Sequence, residues 1–115
     1  MPVSDDQRLH AVLSSLADPT RRQVVEQLAH APASASALAR TLPVSRQALA
    51  KHLLTLGRAG LVEPTHVGRE VRYQLRPEPL AEIADWATRV GAEWEQPLAD
   101  LDRPRRSGRP RSVRP

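Results

Sequence analysis

The chain has 115 residues, 26% charged and 3% aromatic, with a formal net charge of +4; this length suits one domain with a modest core that a second subunit would help to cover. It contains no cysteine, which excludes disulfides, thiolate metal ligands and cysteine redox chemistry. No apolar run approaches the ~20 residues of a membrane-spanning helix, and Met1 to Gln7 lack the regions of a signal peptide, so we expect a soluble cytoplasmic protein without membrane contact.

The first two predicted helices have the pattern of a scaffold. In the first, apolar residues recur every three or four positions, at Leu9, Val12, Leu13 and Leu16. Asp18-Pro19 predicts the N-cap and first residue of a second helix. The buried stripe of that helix comprises Val24, Val25 and Leu28. It should end at Ala31-Pro32, because a residue before proline avoids helical geometry.

Two short helical patterns follow, separated by the turn Leu42-Pro43-Val44. Ser34 or Ser36 is expected to cap the first, and Ser45 the second. In the first, the residues expected to face the core are Ala37, Leu38 and Leu42, with Arg40 outward. In the second, the inward arc comprises Leu49, Leu53 and Leu56, with His52 at its edge. The opposite face carries Gln47, Lys51, Thr55 and Arg58, with Arg46 and Ala50 nearer its sides.

A β-hairpin is predicted after Ala59-Gly60, which closes this helix. Leu61-Val62 begins one strand, and the returning strand alternates apolar with polar residues from Val71 to Arg76. The tip, Val67-Gly68-Arg69-Glu70, would form a wing. Pro64 restricts the first strand to an edge or an early break, because proline cannot donate to a sheet ladder.

A long last helix is indicated between Leu80 and Leu101, where apolar residues recur at threes and fours over about six turns. This stripe is wider than one small domain needs, and large aromatic residues commonly anchor subunit contacts. We therefore predict a dimer interface formed by Leu9, Val12, Leu13, Ile83, Trp86, Ala87, Val90, Trp94 and Leu98. The alternative is a helix folded back onto its own core. Pro97 is expected to kink or break the helix one turn before its end.

Residues 103–115 hold six arginines and no acidic residue, which predicts a disordered basic tail after a folded domain of residues 1–102. Within it, Arg106-Ser107-Gly108-Arg109-Pro110-Arg111 resembles the core of AT-hook peptides, in which Arg109 would enter an A/T-rich minor groove. A solubilising or non-specifically adhesive tail is the alternative.

The charge is divided along the chain. The segment from Ser34 to Arg76 carries +5, and the segment from Pro77 to Asp102 carries −6. Clustered positive charge attracts a phosphate backbone, and acid on the far side helps to orient the approach. Because the basic segment coincides with the paired helices and hairpin, the sequence predicts a mainly α winged helix-turn-helix that binds duplex DNA.

The order of these segments resembles the ArsR/SmtB-type winged-helix repressors of bacteria. Leu16-Ala17-Asp18-Pro19-Thr20-Arg21-Arg22 is similar to the entry of the family's second helix. Val44-Ser45-Arg46-Gln47-Ala48-Leu49-Ala50-Lys51-His52-Leu53 is similar to its recognition helix. Ala59-Gly60-Leu61-Val62, Gly68-Arg69 and Tyr73-Gln74-Leu75 are similar to its wing. The likeness covers roughly residues 8 to 101.

The resemblance implies a homodimer, paired through its first and last helices, that sits over two inverted half-sites of a double-stranded DNA operator until a signal displaces it. The chemistry of two side chains agrees with this expectation. Arg46 can make paired hydrogen bonds to a guanine edge, and Gln47 can make them to an adenine edge. On the wing, Arg69 and Arg72 should contact backbone or minor groove. The predicted DNA-contacting set is Ser45, Arg46, Gln47, Ala50, Lys51, His52, Thr55, Arg58, Arg69, Arg72 and Arg109. His52 resembles a near-invariant family position, where packing or a phosphate contact is the expected role.

The chain departs from the family's pattern in three respects. Leu54 stands where the family often has lysine, and Gly57 destabilises the last turn of its helix by about 1 kcal/mol relative to alanine. The metal-binding cysteines are absent, residues 77–101 contain no histidine, and the four histidines elsewhere are scattered. We therefore predict no metal and no cofactor. A small-molecule inducer stays open, and the sequence does not identify one.

The leading functional hypothesis is a sequence-specific dimeric repressor. An architectural DNA binder with little sequence preference is the first alternative, and a winged-helix module for protein interaction is the second. We predict no enzymatic activity, because the sequence has no Gly-rich phosphate loop and no nucleophile beside a base at a recognisable spacing.

Overall fold

The computed structural model describes residues 4–102, and the side chains of residues 4–94. Five helices and three short strands form this part of the chain. In order they are α1 (Asp5–Ser15), α2 (Pro19–His30), β1 (Ala33–Ser34), α3 (Ala35–Thr41), α4 (Arg46–Arg58), β2 (Val62–Val67), β3 (Glu70–Leu75) and α5 (Glu78–Asp102). The predicted class, mainly α with a small hairpin, is confirmed.

Helix boundaries follow local capping chemistry. Ser4 caps α1 in a reciprocal arrangement with Gln7, which the sequence pattern did not predict. Asp18 caps α2 as predicted, accepting from the backbone N–H of Arg21 at 3.0 Å, and Pro19 is its first residue. The helix ends at His30, immediately before the extended Ala31 that precedes a proline.

Ser34 rather than Ser36 caps α3, and its hydroxyl accepts from the backbone N–H of Ala37 at 3.1 Å. Leu38 and Leu42 are buried as predicted. Ala37 was predicted to face the core, and this is wrong. Ala35 and Ala39 pack against the core instead, because they lie three residues before and one after Leu38 on the same side of the helix.

The sheet has the strand order β1-β3-β2. The hairpin pairs Val62 with Leu75 at its base and Val67 with Glu70 at its tip, and Gly68 has the positive φ of +63° that the tight turn requires. Pro64 lies on the edge strand, as predicted, without ending it. β1 was not predicted. It adds a third strand by pairing Ala33 with Tyr73 and Ser34 with Arg72.

One apolar core joins the helices and the base of the hairpin. Its largest fully buried side chains are Leu38, Leu49, Leu56, Leu61 and Val24. Burial of each leucine contributes roughly 1.5–3 kcal/mol. Val12 was predicted at the dimer interface, but only 3% of its surface is exposed and it belongs to this core. The buried side of α1 is formed by Val12 and Ser15, whereas Leu13 is exposed.

Two compact units divide after Ile83, within α5. In the first unit, Leu80 and Ile83 pack against the core. Ile83 was predicted as an interface residue; its partly buried side chain packs against its own chain's core, and a further contact with a partner subunit stays a prediction. In the second unit, Trp86, Val90 and Trp94 are exposed, Trp94 to 66%.

The helix α5 continues as one element to Asp102. The predicted break at Pro97 is therefore wrong, whereas the predicted kink stays a prediction. The side chain of Leu98 and the whole predicted tail, including Arg109, lie outside the described residues. Among the described helices, none is both long and apolar enough to cross a membrane.

Candidate nucleic-acid interface

The helix α4 presents two different faces because its apolar residues recur at helical spacing. Leu49, Leu53 and Leu56 are almost wholly buried. The hydroxyl of Ser45 accepts from the backbone N–H of Ala48 at 3.0 Å and so fixes the start of the helix. The exposed side, which we call the outer face of α4, comprises Arg46, Gln47, Ala50, Lys51, Leu54 and Arg58.

The outer face is positive and uncompensated. It carries three cations, and the sequence of α4 contains no acidic residue. Within the described residues, no ion pair engages Arg46, Lys51 or Arg58. Thr55 is partly buried at the border of this face. Five of the predicted contact residues thus share one accessible surface with Leu54, and their charges are available to an anionic partner.

The wing brings its two predicted arginines into different surroundings. Arg69 is exposed at the two-residue turn. Arg72 lies on β3, where its Nε donates to the carboxylate of Glu70 at 2.8 Å. At the base of the same hairpin, Glu63 accepts from Gln74 at 3.2 Å and from Arg76 at 3.1 Å. Within the part of the chain that the structure describes, no ion pair engages Arg69, whereas Arg72 is partly neutralised by Glu70.

His52 does not belong to the outer face. Its side chain is 19% exposed and faces the junction of α1 and α2. Its Nδ1 lies 3.4 Å from the guanidinium Nη1 of Arg21, and its Nε2 lies 4.0 Å from the carboxylate of Asp18. Because His52 lies toward the inner side of α4, we remove it from the predicted DNA-contacting set.

Arg21 links three helices through this cluster. Its Nε donates to the backbone carbonyl of Ser15 at 2.5 Å, and its Nη2 donates to that of Ser14 at 3.4 Å. These carbonyls lie in the last turn of α1, where helices lack intrahelical donors for their final acceptors. The Ser14 carbonyl also accepts from the backbone N–H of Ala17 at 3.2 Å. With the contact to His52, the guanidinium joins the end of α1 and the start of α2 to the middle of α4.

The charge state of Asp18 is coupled to this cluster. The hydrogen bond from the backbone N–H of Arg21 holds the pKa of Asp18 below its ordinary value of 3.8. Desolvation raises the pKa in opposition, and the nearby His52 and Arg21 side chains lower it further. The carboxylate form is therefore the one that the folded chain stabilises.

Sequence reasoning identified Asp18 as a cap but missed the role of Arg21. The position of Arg21, three residues after the cap Asp18, was visible in the sequence. Its contact with His52 was not, because His52 is 31 residues further along the chain. No cluster of three or more potential metal-ligating side chains occurs in the part of the chain that the structure describes.

The fold and the outer face together define a winged helix-turn-helix domain. A family model described as a helix-turn-helix domain matches residues 16–65. The chain is 49% identical over 69 residues to the HTH-type transcriptional regulator Rv2034 of Mycobacterium tuberculosis, a match covering 60% of this chain and 64% of the relative. It is 39% identical over 67 residues to the HTH-type transcriptional regulator CmtR of Mycobacterium bovis, covering 58% and 57%. These matches span less than two thirds of the curated relatives.

A solved structure extends the likeness over the domain. The ArsR-like transcriptional regulator from Rhodococcus sp. RHA1 is 43% identical, with a TM-score of 0.75, and the match covers 92% of this chain and all of the other. The chain belongs to the ArsR family of transcriptional regulators.

Proposed function

We propose that the chain is the subunit of a dimeric, sequence-specific repressor that places one copy of α4 in each of two successive major grooves of an operator. The observation that supports this proposal is the contrast between the two faces of α4. Its apolar side is buried in the core, whereas its outer face is exposed, positively charged and without acidic residues. An α-helix fits the width of the major groove of B-DNA. The cytoplasm, where the operator lies, is the location that this function requires.

The outer face offers chemistry for bases as well as phosphates. Arg46 and Gln47 lie in the first turn of α4, where bidentate contacts with guanine and adenine edges suit their side chains. Lys51 lies about one turn further along and supplies a charge for the backbone. Arg69 at the wing tip adds a contact with the flanking backbone or minor groove. These roles give the proposed interface both affinity and specificity.

A dimer would present two such faces in a fixed arrangement. We assign the subunit contact to the exposed apolar residues Leu13, Trp86, Ala87, Val90 and Trp94, with Leu9, Ile83 and Leu98 retained from the sequence prediction. Twofold symmetry would then match inverted half-sites about one helical turn, or ~34 Å, apart. Release from the operator by a signal completes the proposed repressor.

Selection of duplexes from a randomised pool, followed by binding of the full chain in the presence of random competitor, tests the proposal. A repressor should prefer an inverted repeat over random duplex by at least about a thousandfold. Recovery of no common sequence, with preference below about tenfold, would favour the architectural alternative. No DNA binding at low salt would favour the protein-interaction alternative.

Variants of the outer face sharpen this test. Arg46→Ala should cost about 1–3 kcal/mol of binding and relax the preference at one base pair, whereas Lys51→Ala should weaken all duplexes similarly and reduce the salt slope by about 1. Arg89→Ala is the matched control, because it removes one positive charge from an exposed position on α5. Equal effects of all three variants would contradict the assigned roles.

The dimer has its own test. Val90→Glu places a charge on an exposed apolar position, so the subunit should still fold but sediment as a monomer. DNA affinity should fall by orders of magnitude, since two half-sites would no longer be bound jointly. A Val90→Glu protein that stays dimeric would place the interface elsewhere.

A further inference from the structure

An open apolar groove runs between the outer face of α4 and the wing. It has a volume of about 530 Å³, within the range of about 300–1,000 Å³ that is typical of small-molecule sites. The side chains of Ala50 and Leu54 form part of the wall on α4, and Pro64 and Tyr73 form part of the wall on the hairpin. Leu54 is 54% exposed. The groove thus places exposed apolar side chains beside the outer face of α4.

Gly57 keeps the groove open. Gly57 lies in the last turn of α4, and glycine is a weaker helix former than alanine. Its backbone is within α4 and has no positive φ. A Cβ atom added there would meet only the backbone carbonyl of Val62, at an ordinary 3.8 Å. Neither conformation nor close packing requires glycine here, whereas a larger side chain would occupy the groove that Gly57 lines.

The polar chemistry of the groove selects the ligand. Arg58 is the one charged residue among those that line it, and Tyr73 is the only other with a polar side-chain atom. In the described part of the chain, no carboxylate pairs with Arg58. A molecule with an apolar body and one anionic head would cover the exposed apolar walls and neutralise this cation. An organic cation would find no carboxylate in the lining.

We propose that this groove binds a small amphipathic carboxylate, and that the bound molecule competes with DNA. The competition rests on the proposed function, because Ala50, Leu54 and Arg58 belong both to the groove and to the outer face of α4. A ligand lying over these residues excludes α4 from the major groove. The binding energy of the carboxylate then shifts the protein from its DNA-bound to its free form.

Octanoate is a suitable probe for the first half of the proposal, and no DNA is needed. Titration of the full chain, labelled at its leucine and valine methyl groups, should shift the signals of Leu53, Leu54 and Val62 saturably. The signals of Val24 and Leu28, which do not line the groove, should stay in place. Octylammonium should bind at least about tenfold more weakly, because Arg58 repels it. Equal binding of the two probes, or no saturable shift, would overturn the proposal.

Two variants locate the site. Gly57→Leu should abolish saturable binding of octanoate by filling the groove, and Gly57→Ala is its control, because a methyl group fits there. Leu54→Glu tests the same site at an exposed position, where folding is not at risk. It should weaken octanoate by about tenfold or more through like-charge repulsion. Unchanged octanoate affinity in Leu54→Glu, or in a folded Gly57→Leu protein, would overturn the assignment.

Competition is measured with the duplex recovered by selection. Octanoate should lower the apparent DNA affinity of the unchanged protein, and Gly57→Leu should remove this dependence on octanoate. Saturable octanoate binding without any effect on bound DNA would overturn the competition. Octanoate binding by a protein that binds no DNA would instead refute the proposed function and leave the groove site standing.

Discussion

Arg21 and His52 face each other across the junction of α1, α2 and α4, with 3.4 Å between Nη1 of the guanidinium and Nδ1 of the imidazole. Because a guanidinium only donates hydrogen bonds, Nδ1 must accept. In the neutral ring the proton therefore resides on Nε2, the nitrogen nearest the carboxylate of Asp18. The helix α4 is thus held from its inner side by the residues that begin α2.

The coupling between Arg21 and His52 can be measured by a double-mutant cycle. His52→Ala should lower the free energy of unfolding by about 1 kcal/mol, and Arg21→Ala by about 1–3 kcal/mol because it also removes the donor to the backbone carbonyl of Ser15. The double variant should lose less than the sum, by about 0.5–1 kcal/mol. Urea denaturation provides the measurement. Arg22→Ala is the control, since Arg22 also donates to a carbonyl at the end of α1, at 2.7 Å, and should be additive with His52→Ala.

Asp18 should make stability depend on pH in the acid range. Its pKa is lowered in the folded chain, so the carboxylate stabilises the fold at pH values above 3.8 and this contribution is lost as pH falls through the folded value. Asp18→Asn keeps an N-cap acceptor but cannot titrate. Its urea midpoint should therefore vary less than that of the unchanged protein from about pH 6 to about pH 3. Parallel curves would contradict the linkage.

Ser45 has separable roles at the start of α4. Ser45→Ala removes the acceptor for the N–H of Ala48 and should cost about 1 kcal/mol of unfolding free energy. Ser45→Asp should retain stability as an N-cap but weaken DNA binding, because its charge would repel the phosphate backbone. Ser45→Asn should preserve both. Comparison of urea midpoints with DNA affinities resolves the two effects, and strong DNA binding by Ser45→Asp would place this end of α4 away from phosphates.

The sequence was most informative where structure depends on neighbouring residues. The caps at Asp18 and Ser45 and the turn at Gly68 were predictable because their hydrogen bonds and dihedral angles involve residues only a few positions apart. The outer face of α4 followed from helical periodicity, because its buried leucines form one narrow arc.

Long-range contacts account for the errors. β1 has two residues and no periodicity, and it exists because Ala33 meets Tyr73, 40 positions later in the chain. The pattern of α1 marked Val12 as apolar but did not distinguish the chain's own core from a partner subunit. Ile83 raised the same ambiguity. The partner of His52 lies in another helix, so neither its identity nor its direction could be obtained from spacing.

The carboxylate of Glu70 should compete with DNA phosphates for the guanidinium of Arg72. Its carboxylate accepts from Arg72 at 2.8 Å. Glu70→Ala should therefore raise DNA affinity by about 0.5–1 kcal/mol, both by releasing Arg72 and by removing a negative charge near phosphate. Arg69→Ala should have the opposite effect. Fluorescence anisotropy at two salt concentrations measures both, and reduced affinity in Glu70→Ala would show that the pair orients Arg72 productively.

The basic tail, residues 103–115, is predicted to bind phosphates. Truncation after Leu101 should reduce DNA affinity and flatten its salt dependence, by about 0.9 in slope for each phosphate that the tail neutralises. If Arg109 enters the minor groove, truncation should reduce the affinity for an operator with A/T-rich flanks more than the affinity for an operator with G/C-rich flanks. An unchanged salt slope would remove the tail from the mechanism, and equal reductions on both flanks would limit its role to non-specific attraction.

Ser34 serves two elements at once. Its backbone pairs with Arg72 of β3, and its hydroxyl caps α3. Ser34 consequently links the hairpin directly to the helix-turn-helix, in addition to the apolar core that the two share. Because this link holds the wing beside α3, an operator whose major-groove and flanking contacts are spaced differently would have to deform to make both sets of contacts.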